Sequence, residues 1–111
     1  MKIETLKKAE EFKRGDLNLV QTFLKRGCTF QVQDKETGKI ILSPSSNYED
    51  IRDALNKCLE SFMMIIKGEK LISRLWLIPS NGGIDAIADY TVSNEIDKWS
   101  DKFERTMLQV N

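Results

Sequence analysis

The feature that most constrains this chain is a phase relation between its two halves. At a constant offset of forty-five residues, Gly38 falls on Gly83, Ile51 on Ile96, Cys58 on Phe103 and Phe62 on Met107. Phe30 and Val32 fall on Leu75 and Leu77 at the same offset. Residue identity across the two halves is poor, so the match lies in element order and phase. Each half runs through an alternating segment, a cluster of turn residues, a short return segment and a long stretch of helical period.

Residues 28–33 (CTFQVQ) alternate apolar and polar, the period of a half-buried strand. Residues 34–38 supply turn chemistry, and residues 39–43 (KIILS) form a β-branched return strand that Pro44 ends. Ser46-Asn47-Tyr48-Glu49 reads as a capping box, with a hydroxyl at the N-cap and a carboxylate three residues on. A helix of about five turns is predicted over residues 47–66, with Ile51, Ala54, Leu55, Cys58, Leu59, Phe62, Ile65 and Ile66 on a wide stripe. Gly68 is its stop. Residues 70–78 (KLISRLWLI) give the most apolar strand, residues 79–83 turn it, and residues 84–88 (IDAIA) return. Val92, Ile96, Trp99, Phe103 and Met107 then step by three or four, which predicts a last helix over residues 92–108.

A helical segment over residues 1–27 precedes both units. Ile3, Leu6, Ala9 and Phe12 recur every third residue over 3–13, and Leu17, Val20, Phe23 and Leu24 mark a second run capped by Asp16 and stopped at Gly27. The expected fold is therefore α+β: a leading helical segment, a ββα unit over 28–67 and a second over 70–109. Together these make one domain with a four-stranded, mostly antiparallel sheet packed with helices. The length of 111 residues fits one such domain.

Residues 15–36 resemble the second helix of an ankyrin repeat running into the next turn, through Gly15, Leu17, Val20, Leu24, Gly27 and Asp34. No Thr-Pro-Leu-His follows and nothing recurs about 33 residues later, the repeat length of that family. One repeat cannot bury its own faces, so the likeness reads as convergence on a capped helix followed by a turn.

The offset also assigns sheet faces. Cys28, Phe30 and Val32 face the core, which turns Thr29, Gln31 and Gln33 outward with their counterparts Arg74, Trp76 and Ile78. In the return strands, Ile40 pairs with Asp85 and Leu42 with Ile87, so an outward Asp85 brings Ile40, Leu42 and Ile87 outward too. An antiparallel sheet with one solvated face should not carry that many large apolar groups there. Three arrangements account for it: the leading helical segment covers the face, a second copy or another protein covers it, or the register is off by one and every assignment inverts.

The chemistry is sparse. There is no histidine, so Ser–His and Cys–His pairs are excluded. The two cysteines, Cys28 and Cys58, match no zinc spacing and sit beside apolar residues, which points to buried free thiols and a reducing, cytoplasmic setting. Asp34, Glu36 and Lys39 invite a nuclease-like reading, but Glu36 falls in the turn, where carboxylates are normally solvated. Pro79-Ser80-Asn81-Gly82-Gly83 has no Gly-Lys ending and leads into a strand, so it reads as a turn rather than a phosphate loop. Arg14-Gly15-Asp16 matches the integrin-binding tripeptide, yet Gly-Asp here makes a helix break and cap. No cofactor or metal is implied, and the longest apolar run, Phe62 to Ile66, is far too short to span a membrane. The first residues, MKIETLKKAEEF, lack the apolar run of a signal peptide.

Seventeen basic and seventeen acidic residues leave no net charge, which disfavours a dedicated nucleic-acid binder. Residues 1–27 hold a basic surplus of three. The expectation is a non-enzymatic protein-interaction module, homodimeric or bound to another protein, of the kind found among phage or mobile-element accessory and regulatory proteins. Its partner-binding residues would be Gln31, Gln33, Ile40, Leu42, Arg74, Trp76, Ile78 and Ile87. The alternative is a nucleic-acid-binding regulator that uses the basic first segment or stacks bases on the Trp76 face.

Overall fold

The computed structural model describes residues 11–110, with side chains to Leu108. The stripe at Ile3, Leu6 and Ala9 lies outside the described residues. Residues 11–13 are helical, and the elements that follow are α1 (Gly15–Leu24), β1 (Thr29–Asp34), β2 (Ile40–Ser45), α2 (Tyr48–Lys57), β3 (Ser61–Lys67), β4 (Lys70–Leu77), β5 (Ile87–Tyr90) and α3 (Asn94–Val110). Two 3₁₀ turns, Pro79–Asn81 and Gly83–Ala86, join β4 to β5. The protein is α+β, and its five-stranded sheet has the order β2-β1-β3-β4-β5 with every pairing antiparallel.

The fifth strand is the main correction to the sequence reading. The helix expected over 47–66 ends at Lys57, Cys58 turns to extended backbone, and Ser61–Lys67 form the central strand. Phe62-Met63-Met64-Ile65-Ile66 is apolar on both faces of the strand, so no two-residue period marks it in the sequence. Gly68 is the first residue of the tight β3–β4 turn, at φ 61°, rather than a helix stop. The equivalences of Cys58 with Phe103 and Phe62 with Met107 therefore fail. Two ββα runs still exist, with β3 placed between them in sequence and between β1 and β4 in space.

Smaller corrections follow from local chemistry. Asn47, not Ser46, caps α2, its side chain accepting the Asp50 N–H at 3.0 Å. Asp16 is buried inside the first turn of α1, where Arg14 grips it with Nε at 2.8 Å and Nη2 at 2.9 Å. Pro44 lies within β2, which tolerates it as an edge strand. The return strand starts at Ile87 rather than Ile84, because Ala86 N–H bonds back to Gly82 and Ile78 N–H to Ala86 across the 3₁₀ turns. Val92 is left outside α3 and exposed, and the Ser93 hydroxyl accepts from Ile96 N–H at the helix start.

All three helices contribute to one core. Leu17, Leu19, Val20 and Phe23 of α1, Ile51 and Leu55 of α2, and Ile96, Trp99 and Phe103 of α3 pack with Phe30, Val32, Met63, Ile65, Leu75 and Leu77. Alternation within each strand places those sheet residues on one face. Trp99 Nε1 donates to Asn18 Oδ1 at 3.0 Å and Asn18 Nδ2 to the Phe12 carbonyl at 3.0 Å, tying α3, α1 and residues 11–13 together. Tyr48 donates to Glu11 at 2.6 Å, and Arg52 reaches the same carboxylate, which fixes residues 11–13 on α2.

Two packing features generate predictions. A Cβ on Gly15 would overlap the Gly83 carbonyl oxygen and sit 3.3 Å from Ile84 Cα. Gly15→Ala should therefore destabilise the fold by about 1–3 kcal/mol in urea unfolding, and an unchanged midpoint would contradict the close approach. Ser61 Oγ is buried without a hydrogen-bond partner among the described residues. Ser61→Ala should leave stability unchanged or raise it by up to about 1 kcal/mol, since it removes an unsatisfied hydroxyl; a clear loss would reveal a partner for that oxygen.

Candidate interaction surface

Strand register sorts the side chains into rows. The core face carries Leu42, Val32, Met63, Leu75 and Tyr90 across the five strands, in that order. The other face carries Ile40, Gln33, Phe62, Trp76 and Asp89, then Gln31, Met64 and Arg74, then Thr29, Ile66 and Leu71. No helix of the described residues packs against this second face. Phe62, Met64, Ile66 and Trp76 are half-buried there by their neighbours alone, while Ile40 and Leu71 are exposed.

The expected site residues separate on this surface. Gln31, Gln33, Ile40, Arg74 and Trp76 lie together on the open face, as the sequence phase requires. Leu42 and Ile87 do not: they pair with buried Val32 and Leu77 and pack against the core. For Leu42 the reason is the irregular register at β1–β2, where one extra residue reverses which way the side chains point; for Ile87 it is the 3₁₀ turn Gly83–Ala86, which breaks the two-residue period linking it to Asp85. Ile78 lies just past β4, half-buried, with its N–H given to Ala86. Phe62, Met64 and Ile66 escaped the sequence reading because that stretch was assigned to a helix. The five-residue apolar run closed by Gly68-Glu69 was the signal for a buried strand.

Cations cover the aromatic rings of the open face. The Arg74 guanidinium lies 4.1 Å from the Phe62 ring centroid and Lys35 Nζ lies 5.0 Å from that of Trp76. Trp76 Nε1 donates to Glu60 Oε1 at 2.9 Å, and Lys35 stands 3.9 Å from the same oxygen. A shallow hollow of about 200 Å³ opens between Phe62, Arg74, Trp76, Asp89 and Tyr90. The rings are thus held in fixed orientation, with both signs of charge at their margins.

The other sequence candidates have local work. The Asp34 carboxylate accepts from Glu36 N–H at 3.1 Å and Thr37 Oγ1 at 3.0 Å, so it closes the β1–β2 turn. Among the described residues no group of three or more His, Cys, Asp or Glu side chains is placed to hold a metal. Burial pushes both the Cys28 and Cys58 thiols up, which disfavours the reactive thiolate. No helix among the described residues is long and apolar enough to cross a membrane. No family model, curated protein or solved structure matches the chain.

Tyr90, on the core face of β5, donates to Asp97 Oδ1 of α3 at 2.5 Å. That hydrogen bond, with a smaller contribution from burial, pushes its pKa up to about 12. A raised folded-state pKa means that the folded protein holds the phenol proton more tightly. The stabilisation is complete below the ordinary tyrosine pKa of about 10 and is lost as pH rises toward 12. The stability gap between the wild type and Tyr90→Phe should narrow over that window in urea unfolding. A gap that stays constant would contradict the Tyr90–Asp97 bond.

Proposed function

We propose that the protein is a non-enzymatic interaction module that pairs with a second copy of itself through the open sheet face. The observation that carries this reading is the run of Phe62, Met64, Ile66 and Trp76 on two adjacent central strands, with no covering helix among the described residues. Contiguous apolar surface of this kind normally marks an interface. Aromatic side chains with arginine are the residue types that dominate binding energy at interface centres.

A second copy is the favoured partner on grounds of charge. Arg74 and Lys35 stand beside Glu60 and Asp89 on the same face, so the patch carries the complement of its own charges, as a two-fold contact requires. The chain's zero net charge puts no long-range repulsion between copies. The cations over Phe62 and Trp76 stand where acidic groups of a second copy could pair with them.

Light scattering across a dilution series tests this. The wild type should elute as a dimer that dissociates on dilution and persists in high salt. Trp76→Ala should weaken pairing by about 2 kcal/mol, on the order of thirtyfold in the dissociation constant. Met64→Glu, whose new carboxylate can pair with Arg74 in the monomer, should abolish pairing with an unchanged circular dichroism spectrum. A wild type that is monomeric at every concentration rules out self-pairing. Pairing that collapses as salt rises would instead favour a charge-dominated partner such as nucleic acid.

A further inference from the structure

On the opposite side of the molecule, α1 and α3 leave a cleft of about 260 Å³ between them. Its floor is the edge of the stacked Trp99 and Phe103 rings, whose centroids lie 5.2 Å apart. Arg26 from the turn that follows α1, and Lys98 and Lys102 from α3, line it. We propose that this cleft binds phosphate groups, with these three cations as the ligands.

Three observations support the assignment. First, Lys98 and Lys102 stand one turn apart on the cleft side of α3, which Glu95 shares one turn earlier, while Asp97, which takes the Tyr90 hydroxyl, and Asp101 stand on a separate row. Second, none of the three cations has a carboxylate within ion-pair distance among the described residues. The acidic group near the mouth is Glu95, which accepts the Ser93 hydroxyl at 2.9 Å and is held below its usual range by that bond, with Arg26 and Lys70 adding to the effect. Third, Arg26 is oriented in advance: its guanidinium lies 4.6 Å over the Phe23 ring. A stacked guanidinium keeps its N–H edge open to a planar or tetrahedral oxyanion.

The remaining polar groups at the cleft do not compete for the ligand. Thr22 and Thr106 give their hydroxyl protons to the Asn18 and Lys102 carbonyls, and Asn18 is engaged with Trp99 and Phe12. The cleft therefore presents cationic donors around the nearly buried edges of Trp99 and Phe103, surroundings suited to a phosphate group. The chain's neutrality makes this positive potential local. Because the cleft lies across the helix layer from the open sheet face, pairing through that face leaves it free, and the proposal stands independently of self-association.

The test is a backbone-amide NMR titration of the full chain with sodium pyrophosphate and, separately, with a short oligothymidylate, each at ionic strength matched by sodium chloride. Saturable shifts centred on Thr22, Arg26, Lys98 and Lys102 are expected. The Arg26→Gln/Lys98→Gln/Lys102→Gln variant should bind about tenfold or more weakly, whereas Arg74→Gln should not change the affinity. Saturation by pyrophosphate identifies a small phosphate ester as the ligand class. Saturation by the oligonucleotide alone identifies a nucleic-acid backbone. Shifts that merely track sodium chloride, or an unchanged affinity in the triple variant with its fold intact by circular dichroism, would overturn the proposal.

Discussion

Everything in this structure depends on the two hydrogen-bonded ladders of β3. One joins it to β1 along six residue pairs, from Thr29–Ile66 to Asp34–Ser61, and the other joins it to β4 from Ser61–Leu77 to Lys67–Lys70. Without β3 the N-terminal β1–β2–α2 run and the C-terminal β4–β5–α3 run would share no strand pairing. Its alternate side chains answer two demands. Met63 and Ile65 complete the helix-covered core, and Phe62, Met64 and Ile66 are left on the other side. The open apolar face is thus a direct consequence of joining two hairpin units through an unusually apolar central strand.

The molecule's two surfaces have different chemistry for this reason. The sheet side is aromatic and aliphatic, with balanced charge at its margins. The helix side mixes its charges, with Arg14–Asp16 and Arg52–Glu11 ion pairs, and gathers Arg26, Lys98 and Lys102 at the α1–α3 cleft. An overall charge of zero conceals both patterns.

Much of the fold was legible in the sequence wherever pattern and punctuation agreed. The inward Phe30 and Val32, their counterparts Leu75 and Leu77, and the inward Ile51 and Ile96 all follow from the forty-five-residue phase relation. Outward Gln31, Gln33, Arg74 and Trp76 follow from the same relation. What was not legible had definite physical causes. Five consecutive apolar residues carry no period, so the stretch from Phe62 to Ile66 merged with the preceding helix. A two-residue period reports neither the β1–β2 irregularity nor the 3₁₀ turn before β5, so the faces of Leu42 and Ile87 do not follow from it. The α1–α3 cleft joins Arg26 to Lys98 and Lys102 over a sequence separation that no local pattern reports.

The proposed seat of a second copy is the open side of β3 and β4. The most direct test is an isotope-filtered NOE experiment on a mixture of labelled and unlabelled protein. It should show contacts between the aromatic protons of Phe62 and Trp76 in one copy and the Met64 and Ile66 methyls of the other. Contacts from the helix side instead, or none at concentrations where the protein is associated, would contradict the account.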